Sequence, residues 1–427
     1  MITFHTFLVA GHALAAIAVV LLIGYLGRLT ARAVRQPPVV GEIAVGMLLG
    51  PALLGLVWPH AESVLLPGPV LEVLRQTGHA GVVFFLVGVA HELRLDGSRL
   101  KDRAIAWTTM GSLVPSVVAG LSFAGWLLWY DRPEFRGDAS TPAFVLMLAI
   151  AMTVSAVPVL ARILADRGLT TTRVGGLALT SAVIIDALAW LALAVVLGLA
   201  KGGGAKGIAT AAVVLVLGLA ATALVRRLLL LPVAERFCAR LPWVVTVLLG
   251  GGALGVAAAA ESWGLTAIFG AFVVGLMIPT GSAHWDAPAR WVSTLGLWLV
   301  PVLFVTTGLK VWKGATGMPW LVAIVATVLA VLAKIGGTYV FARWGGEGRT
   351  GALRLGALLN TRGLTEIVLL QAGFNAGVIS PALYLSLMVM ALVTTAMTGP
   401  MLTVIDRFLA GGAVWEPRQE VQRAATG

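Results

Sequence analysis

Residues Met152–Trp190 read MTVSAVPVLARILADRGLTTTRVGGLALTSAVIIDALAW, and this stretch decides the fold. It holds Asp186, a lone carboxylate in an apolar run from about Val174 to Ala200 that is long enough to cross a bilayer. A central Asp costs about 2.5 to 3.5 kcal/mol on insertion scales, so the carboxylate is expected to face a polar cavity rather than lipid. The preceding apolar run carries Pro158, with Thr153 and Ser155 just before it. Proline removes a backbone donor and disfavours helix immediately upstream, which predicts a helix interrupted near its middle. Interrupted helices turn carbonyls and helix ends toward ions at mid-membrane in transporters. The competing reading is a Pro kink packed between neighbours, since Pro is common in membrane helices. With Asp186 on the next helix, an ion site is the favoured reading.

The rest of the chain agrees with a membrane setting. Of its 427 residues 59% are hydrophobic and 11% charged, and the mean hydropathy is +0.96. Apolar runs of about 20 residues recur throughout and leave no room for a soluble domain. The first run lacks the positive start and small-residue cleavage site of a removed leader. A formal charge of +11 could point to nucleic acid, but the Lys and Arg residues are scattered through short loops instead of forming a stripe. Cys238 is the sole cysteine, which excludes an intrachain disulfide. No motif for a nucleophile, a resident metal or a phosphate is present, so neither catalysis nor a cofactor is expected.

Apolar runs place about 13 spans, near residues 8–27, 39–57, 72–91, 104–129, 142–165, 175–200, 207–226, 243–260, 264–280, 291–309, 319–342, 352–374 and 381–409. With the N-terminus outside and the C-terminus inside, 21 of the 30 basic residues fall in cytoplasmic loops and 7 in outer ones, as the positive-inside rule requires. The remaining two, Lys334 and Arg362, lie within spans. If the seventh span is a linker, an odd count makes the last six spans enter from the opposite face, the topology of two inverted six-helix repeats. That symmetry predicts a break in the twelfth span too, and its middle reads Asn360, Thr361, Arg362, Gly363. Glu366 follows Arg362 by one helical turn, so the two could satisfy each other. Lys334 is expected to pair with an acid, Asp186 by preference, or to line a cavity. Glu42 is placed at the water interface, His91 and Glu92 at a solvated helix end, and Glu261 in a loop. The tail, residues 411–427, reads as disordered.

Several blocks in order carry a resemblance: QPPVVGEIAVGMLLGP (residues 36–51), SAVPVLARILADRGL, SAVIIDALAW, GLK at the end of the tenth span, Lys334, and LNTRGLTEIVLL. Over roughly residues 8–409 the chain resembles the monovalent cation:proton antiporter-2 family of sodium/proton exchangers. The resemblance implies an all-α polytopic membrane protein of the sodium/proton antiporter fold, a homodimer with a scaffold panel and a mobile core. On this reading residues 1–103 and 243–315 form the scaffold, 104–200 and 316–410 the core, and 201–242 the linker. It implies further that Asp186 binds either a cation or protons. Two departures stand out. Thr153 and Ser155 are exchanged relative to the family's usual order, and Ile185 stands where the family has an acid or Asn beside the ion-binding Asp. The soluble nucleotide-binding regulatory domain of some relatives has no counterpart, so control by nucleotide through this chain is not expected.

Three functions follow as candidates. The leading one is exchange of cytoplasmic Na+ or K+ for external protons, with Thr153 and Ser155 hydroxyls and carbonyls near Pro158 adding oxygen ligands to Asp186. A second is a carrier of an anion or organic solute that uses Arg362 and helix N-termini. A third is a membrane-embedded sensor or biosynthetic accessory that has lost exchange, which Ile185 favours and Asp186 with Lys334 opposes.

Overall fold

The computed structural model of the chain describes residues 2–33, 41–42, 44–46, 67–92, 102–130, 133–169, 172–200, 218, 220–262, 267–314 and 319–409. The expected spans at 39–57 and 207–226 lie largely outside the described residues, as does the tail at 411–427. Apart from an isolated β-bridge between Arg136 and Ile379, the regular structure among the described residues is helical. In chain order the helices are α1 (Ile2–Ala33), α2 (Gly68–Glu92), α3 (Arg103–Trp129), α4 (Thr141–Thr153), α5 (Val157–Asp166) and α6 (Arg173–Ala200). Then come α7 (Pro232–Arg240), α8 (Pro242–Ser262), α9 (Ala267–Met277), α10 (Ala283–Gly314), α11 (Trp320–Val331) and α12 (Gly337–Trp344). The last three are α13 (Arg349–Leu359), α14 (Leu364–Asn375) and α15 (Pro381–Leu409). Among the described residues eight helical stretches are long and apolar enough to span a membrane. The chain is a multi-pass membrane protein.

Apolar composition alone makes these stretches helical in lipid, because only internal hydrogen bonding satisfies the backbone there. Local signals set where they begin. Asp102 caps α3 by accepting from the Ala104 N–H at 2.9 Å, and Pro142 sits in the first turn of α4, where its missing donor costs nothing. Between them the helices pack through small residues. A Cβ on Gly81 of α2 would sit 2.7 Å from Leu299 Cβ on α10, so these two helices approach more closely than any side chain at that position allows.

Three features depart from plain helices, and all three converge. The α4–α5 span is interrupted at Val154–Ala156, and the α13–α14 span at Asn360–Gly363. Between α11 and α12 the chain makes a π-helical turn, Leu332–Gly336, centred on Lys334. A single π turn inside an α-helix is a local distortion that recurs at functional sites.

Three placements correct the sequence reading. Glu42 is buried, with Arg28 Nε 2.5 Å from its Oε1, so an apolar surround has been offset by an ion pair instead of by water. His91 is also buried, its Nε2 2.9 Å from Asp286 Oδ1 in the first turn of α10. Glu261 lies in the last turn of α8, where its residue is exposed.

Candidate functional site

The two interruptions meet. Ala156 N–H donates to Thr361 O at 3.1 Å, and the Ser155 hydroxyl donates to Leu359 O at 2.8 Å, so each break satisfies orphan backbone groups of the other. Gly363 lets them come this close: a Cβ there would lie 2.7 Å from Val159 Cγ2 and 3.2 Å from Ala156 Cβ. Pro158 lies in the first turn of α5, directly after the break, where its missing donor costs nothing.

The C-terminal end of α4 presents carbonyls with no helical partner, and two cations cap them. Lys334 donates to Thr153 O, while Arg362 donates to Ala151 O through one Nη and to Met152 O, at 2.8 Å, through the other. Cations at a helix C-terminus offset the partial negative charge of its last carbonyls. Arg362 also holds Glu366, Nη1 to Oε1 at 2.6 Å, with both side chains wholly buried. The preferred partner of Lys334 in the sequence reading was Asp186. The structure gives the ammonium to the Thr153 carbonyl instead, and leaves Asp186 within electrostatic reach of it. Lys334 reaches the α4 end from within the π turn, and a desolvated carbonyl there needs a donor.

Asp186 lies near the opposite helix end. It is 1% exposed, and the Ser155 and Val157 N–H groups at the start of α5 point toward its carboxylate. Neither carboxylate oxygen closes a hydrogen bond among the described residues. The hydroxyls of Thr153 and Ser155 are both buried and both donate to carbonyls, Thr153 to Ile150 O at 2.7 Å, which leaves their oxygen lone pairs available. The neighbouring Ile185 is fully buried and apolar. The carboxylate and the two hydroxyl oxygens form a hard-oxygen set suited to an alkali cation, or to a proton on the carboxylate.

Around the second break a layer of threonines from α15 takes up the polar groups. Arg362 N–H donates to Thr395 Oγ1 at 3.2 Å and Thr395 donates to Arg362 O at 2.9 Å; Thr361 reaches Thr398 at 3.2 Å, and Asn360 Nδ2 reaches Thr394 O at 3.4 Å. These three threonines, like the π turn, were missed by the sequence reading. Their spacing, 394, 395 and 398, on one apolar span was the available signal. A cavity of about 640 Å³ opens between α2, α8, α9, α10 and α14, lined by Glu72, His79, Glu261, Thr307, Gln371 and Asn375 among others; Asp186 is not part of its wall. No group of three or more potential metal-ligating His, Cys, Asp or Glu side chains occurs among the described residues.

Comparison with known proteins places this geometry. Residues 17–406 match the family described as sodium/hydrogen exchanger, transmembrane. The chain is 30% identical to the Na(+)/H(+) antiporter NhaS4 of Synechocystis over 87% of its own length and 91% of that protein's. It is 33% identical to cation/H(+) antiporter 17 of Arabidopsis thaliana over 91% of its length, and spans 48% of that relative. It is 25% identical to a Na(+)/H(+) antiporter of Enterococcus hirae, over 84% of this chain and 89% of that one. Among solved structures, the sodium proton antiporter MjNhaP1 from Methanocaldococcus jannaschii at pH 8 shares the fold, with a TM-score of 0.63 at 15% identity over 94% of this chain and 98% of that one.

Proposed function

Because the chain belongs to the sodium/hydrogen exchanger family, we propose that it exchanges a monovalent cation, Na+ or K+, for protons across the cell membrane by alternating access, with Asp186 as the shared site. The observation that carries the reading is the buried, unpartnered Asp186 carboxylate beside two crossed helix breaks. One carboxylate cannot hold a cation and a proton together, so competition for it couples the two flows. Thr153 and Ser155 add oxygen ligands to the bound cation. Lys334, Arg362 and Glu366 hold the α4 end in place so that the ligands keep their geometry when the site is empty.

The crossed breaks belong to two inverted repeats, residues 104–200 and 316–410 form the moving core, and 1–103 with 243–315 form the scaffold of a homodimer, joined through 201–242. The N-terminus lies outside and the C-terminus inside. In this arrangement the cavity lined by Glu72, His79, Glu261 and Asn375 is the outer vestibule by which cations approach. Of its two wall carboxylates Glu72 is paired with Arg75, and Glu261 supplies the charge that favours cations over anions there.

Purified protein in vesicles carrying a pH-sensitive dye tests the reading, with Na+, K+ and Li+ supplied in turn. Wild-type protein dissipates an imposed pH gradient on addition of its cation, and Asp186→Asn does not. Wild-type rates in Asp186→Asn would refute the shared-site mechanism.

A further inference from the structure

The cavity of about 640 Å³ adjoins a second hollow of about 220 Å³, and His79, Glu261, Gln371 and Asn375 line both. The second hollow reaches Leu197 on α6, about three turns past Asp186, and Val368 on α14, two residues past Glu366. Apart from the four shared polar side chains its wall is apolar. An ion leaves water for an apolar wall only at high cost, so a cation moving this way meets its last polar groups before the core at those four side chains.

Gln371 says what the neck is made to hold. It is 6% exposed, its Nε2 donates to Asn375 Oδ1 at 3.0 Å, and its Oε1 has no partner among the described residues. With the donor end of the amide taken by Asn375, the group left over is an acceptor. Thr365 and Tyr384 also keep unpartnered hydroxyls, but they line neither hollow, whereas Gln371 lines both. The charge beside it favours a cation as the occupant. Glu261, in the last turn of α8, is exposed and has no ion pair among the described residues, while Glu72 is held by Arg75 at 2.8 Å. On the facing α10, Thr306 donates its hydroxyl to Val302 O and Leu303 O, so its oxygen lone pairs are left for the cavity.

We infer that Glu261 and Gln371, with Thr306, form a second cation site, a holding place where an alkali cation gives up part of its hydration shell before it moves on toward Asp186. The Glu261 carboxylate draws the cation in, and the neutral oxygens of Gln371 and Thr306 replace waters around it, as carbonyls do in ion filters. One charge with neutral oxygens in an open cavity binds loosely enough to let the cation leave again, which a site on a transport route requires. The inference rests on the exchange reading and adds to it a site that acts before Asp186 and does not depend on that carboxylate.

Thiol labelling and transport test the site separately. In a Cys238→Ala background, Ala258→Cys places a thiol on the cavity wall about one turn before Glu261, and a cationic methanethiosulfonate reagent is applied at fixed pH and ionic strength. Na+ or K+ in place of N-methylglucamine slows the labelling severalfold. The slowing persists with Asp186→Asn, disappears with Glu261→Gln and with Gln371→Leu, and is kept by Gln371→Glu, which leaves an oxygen in place. Protection lost in Asp186→Asn would put the cation at Asp186 alone and overturn the second site. So would protection that survives Glu261→Gln, a thiol that neither Na+ nor K+ protects, or one that the reagent never reaches. In dye-loaded vesicles Glu261→Gln and Gln371→Leu each raise the cation concentration for half-maximal exchange by about tenfold, the order of one charge-assisted contact. An unchanged concentration in either would overturn the holding role. Full exchange by Asp186→Asn would instead sink the shared-site reading, and labelling tells the two failures apart because it is read without turnover.

Discussion

The two helix breaks cross and share hydrogen bonds, yet they are built from opposite materials. The first, Val154–Ala156, carries no charge of its own and receives its support from elsewhere: Lys334 and Arg362 cap the α4 carbonyls, and Asp186 faces the α5 N-terminus. The second, Asn360–Gly363, brings a guanidinium, an amide and a hydroxyl; α15 meets the amide nitrogen, the hydroxyl and the Arg362 backbone with Thr394, Thr398 and Thr395, while the guanidinium turns to the α4 carbonyls and Glu366. The difference separates labour. A break of small residues beside a carboxylate can exchange ligands, whereas a break tied to α15 by several side-chain bonds is a fixed frame. In the proposed exchange the first is the ligand-binding half of the site and the second its mount.

The largest effect expected of this division is at Arg362. Replacing it with Ala leaves Glu366 buried without its partner and uncovers the carbonyls of Ala151 and Met152 together. Removing one member of a buried pair costs about 3 to 5 kcal/mol. Thermal unfolding of the purified protein in detergent checks it, and Arg362→Ala with Glu366→Ala together should cost less than the sum of the two single changes. Strict additivity would show that Arg362 and Glu366 are not one unit, and the second break would lose its role as a mount.

Much of this arrangement was legible beforehand. Hydropathy placed the spans because lipid permits so few backbone solutions. Pro158 and the Asn360–Gly363 tetrad marked both interruptions because a helix in lipid carries neither without reason. Asp186 was also readable as the acid of the site, since it is the one acid inside its apolar run. Partner choice was readable only in part. Arg362 does hold Glu366, as their spacing predicted, but the helix breaks also create orphan carbonyls, which take further Arg362 donors and take Lys334 in place of Asp186. The burial of Glu42 and His91 was hidden for a similar reason: each is paired with a residue outside its own helix, Glu42 with Arg28 and His91 with Asp286, 195 residues away.

A smaller effect is expected where the two breaks touch. Gly363→Ala adds a Cβ 2.7 Å from Val159 Cγ2, and valine has little rotamer freedom with which to yield. Overpacking of this kind costs about 1 to 3 kcal/mol. Since the strain falls on both breaks, stability and transport rate should drop together, measured by unfolding and by dye dequenching on the same preparation. An Ala variant with unaltered stability would mean that the crossing is looser than its hydrogen bonds imply.

The sharpest test of the comparison comes from the smallest changes, one hydroxyl removed from each break's support. Thr395→Val deletes the group that bonds both Arg362 N–H and Arg362 O, and Ser155→Ala deletes the bond to Leu359 O. Hydrogen bonds between membrane helices average about 0.6 kcal/mol with a maximum near about 1.7, so each variant should remain folded with a modest drop in unfolding temperature. Function should divide them. In the proposed mechanism Ser155 offers its oxygen to the cation, so Ser155→Ala should raise the cation concentration needed for half-maximal exchange, and Ser155→Thr, which keeps the oxygen, should raise it less. Thr395 touches only the mount, so Thr395→Val lowers stability and leaves the concentration dependence where it was. If the two outcomes are reversed, with the α15 threonine governing cation demand and the serine only stability, then the ligand-binding half lies on Asn360–Gly363, and the division between the breaks has been assigned the wrong way round.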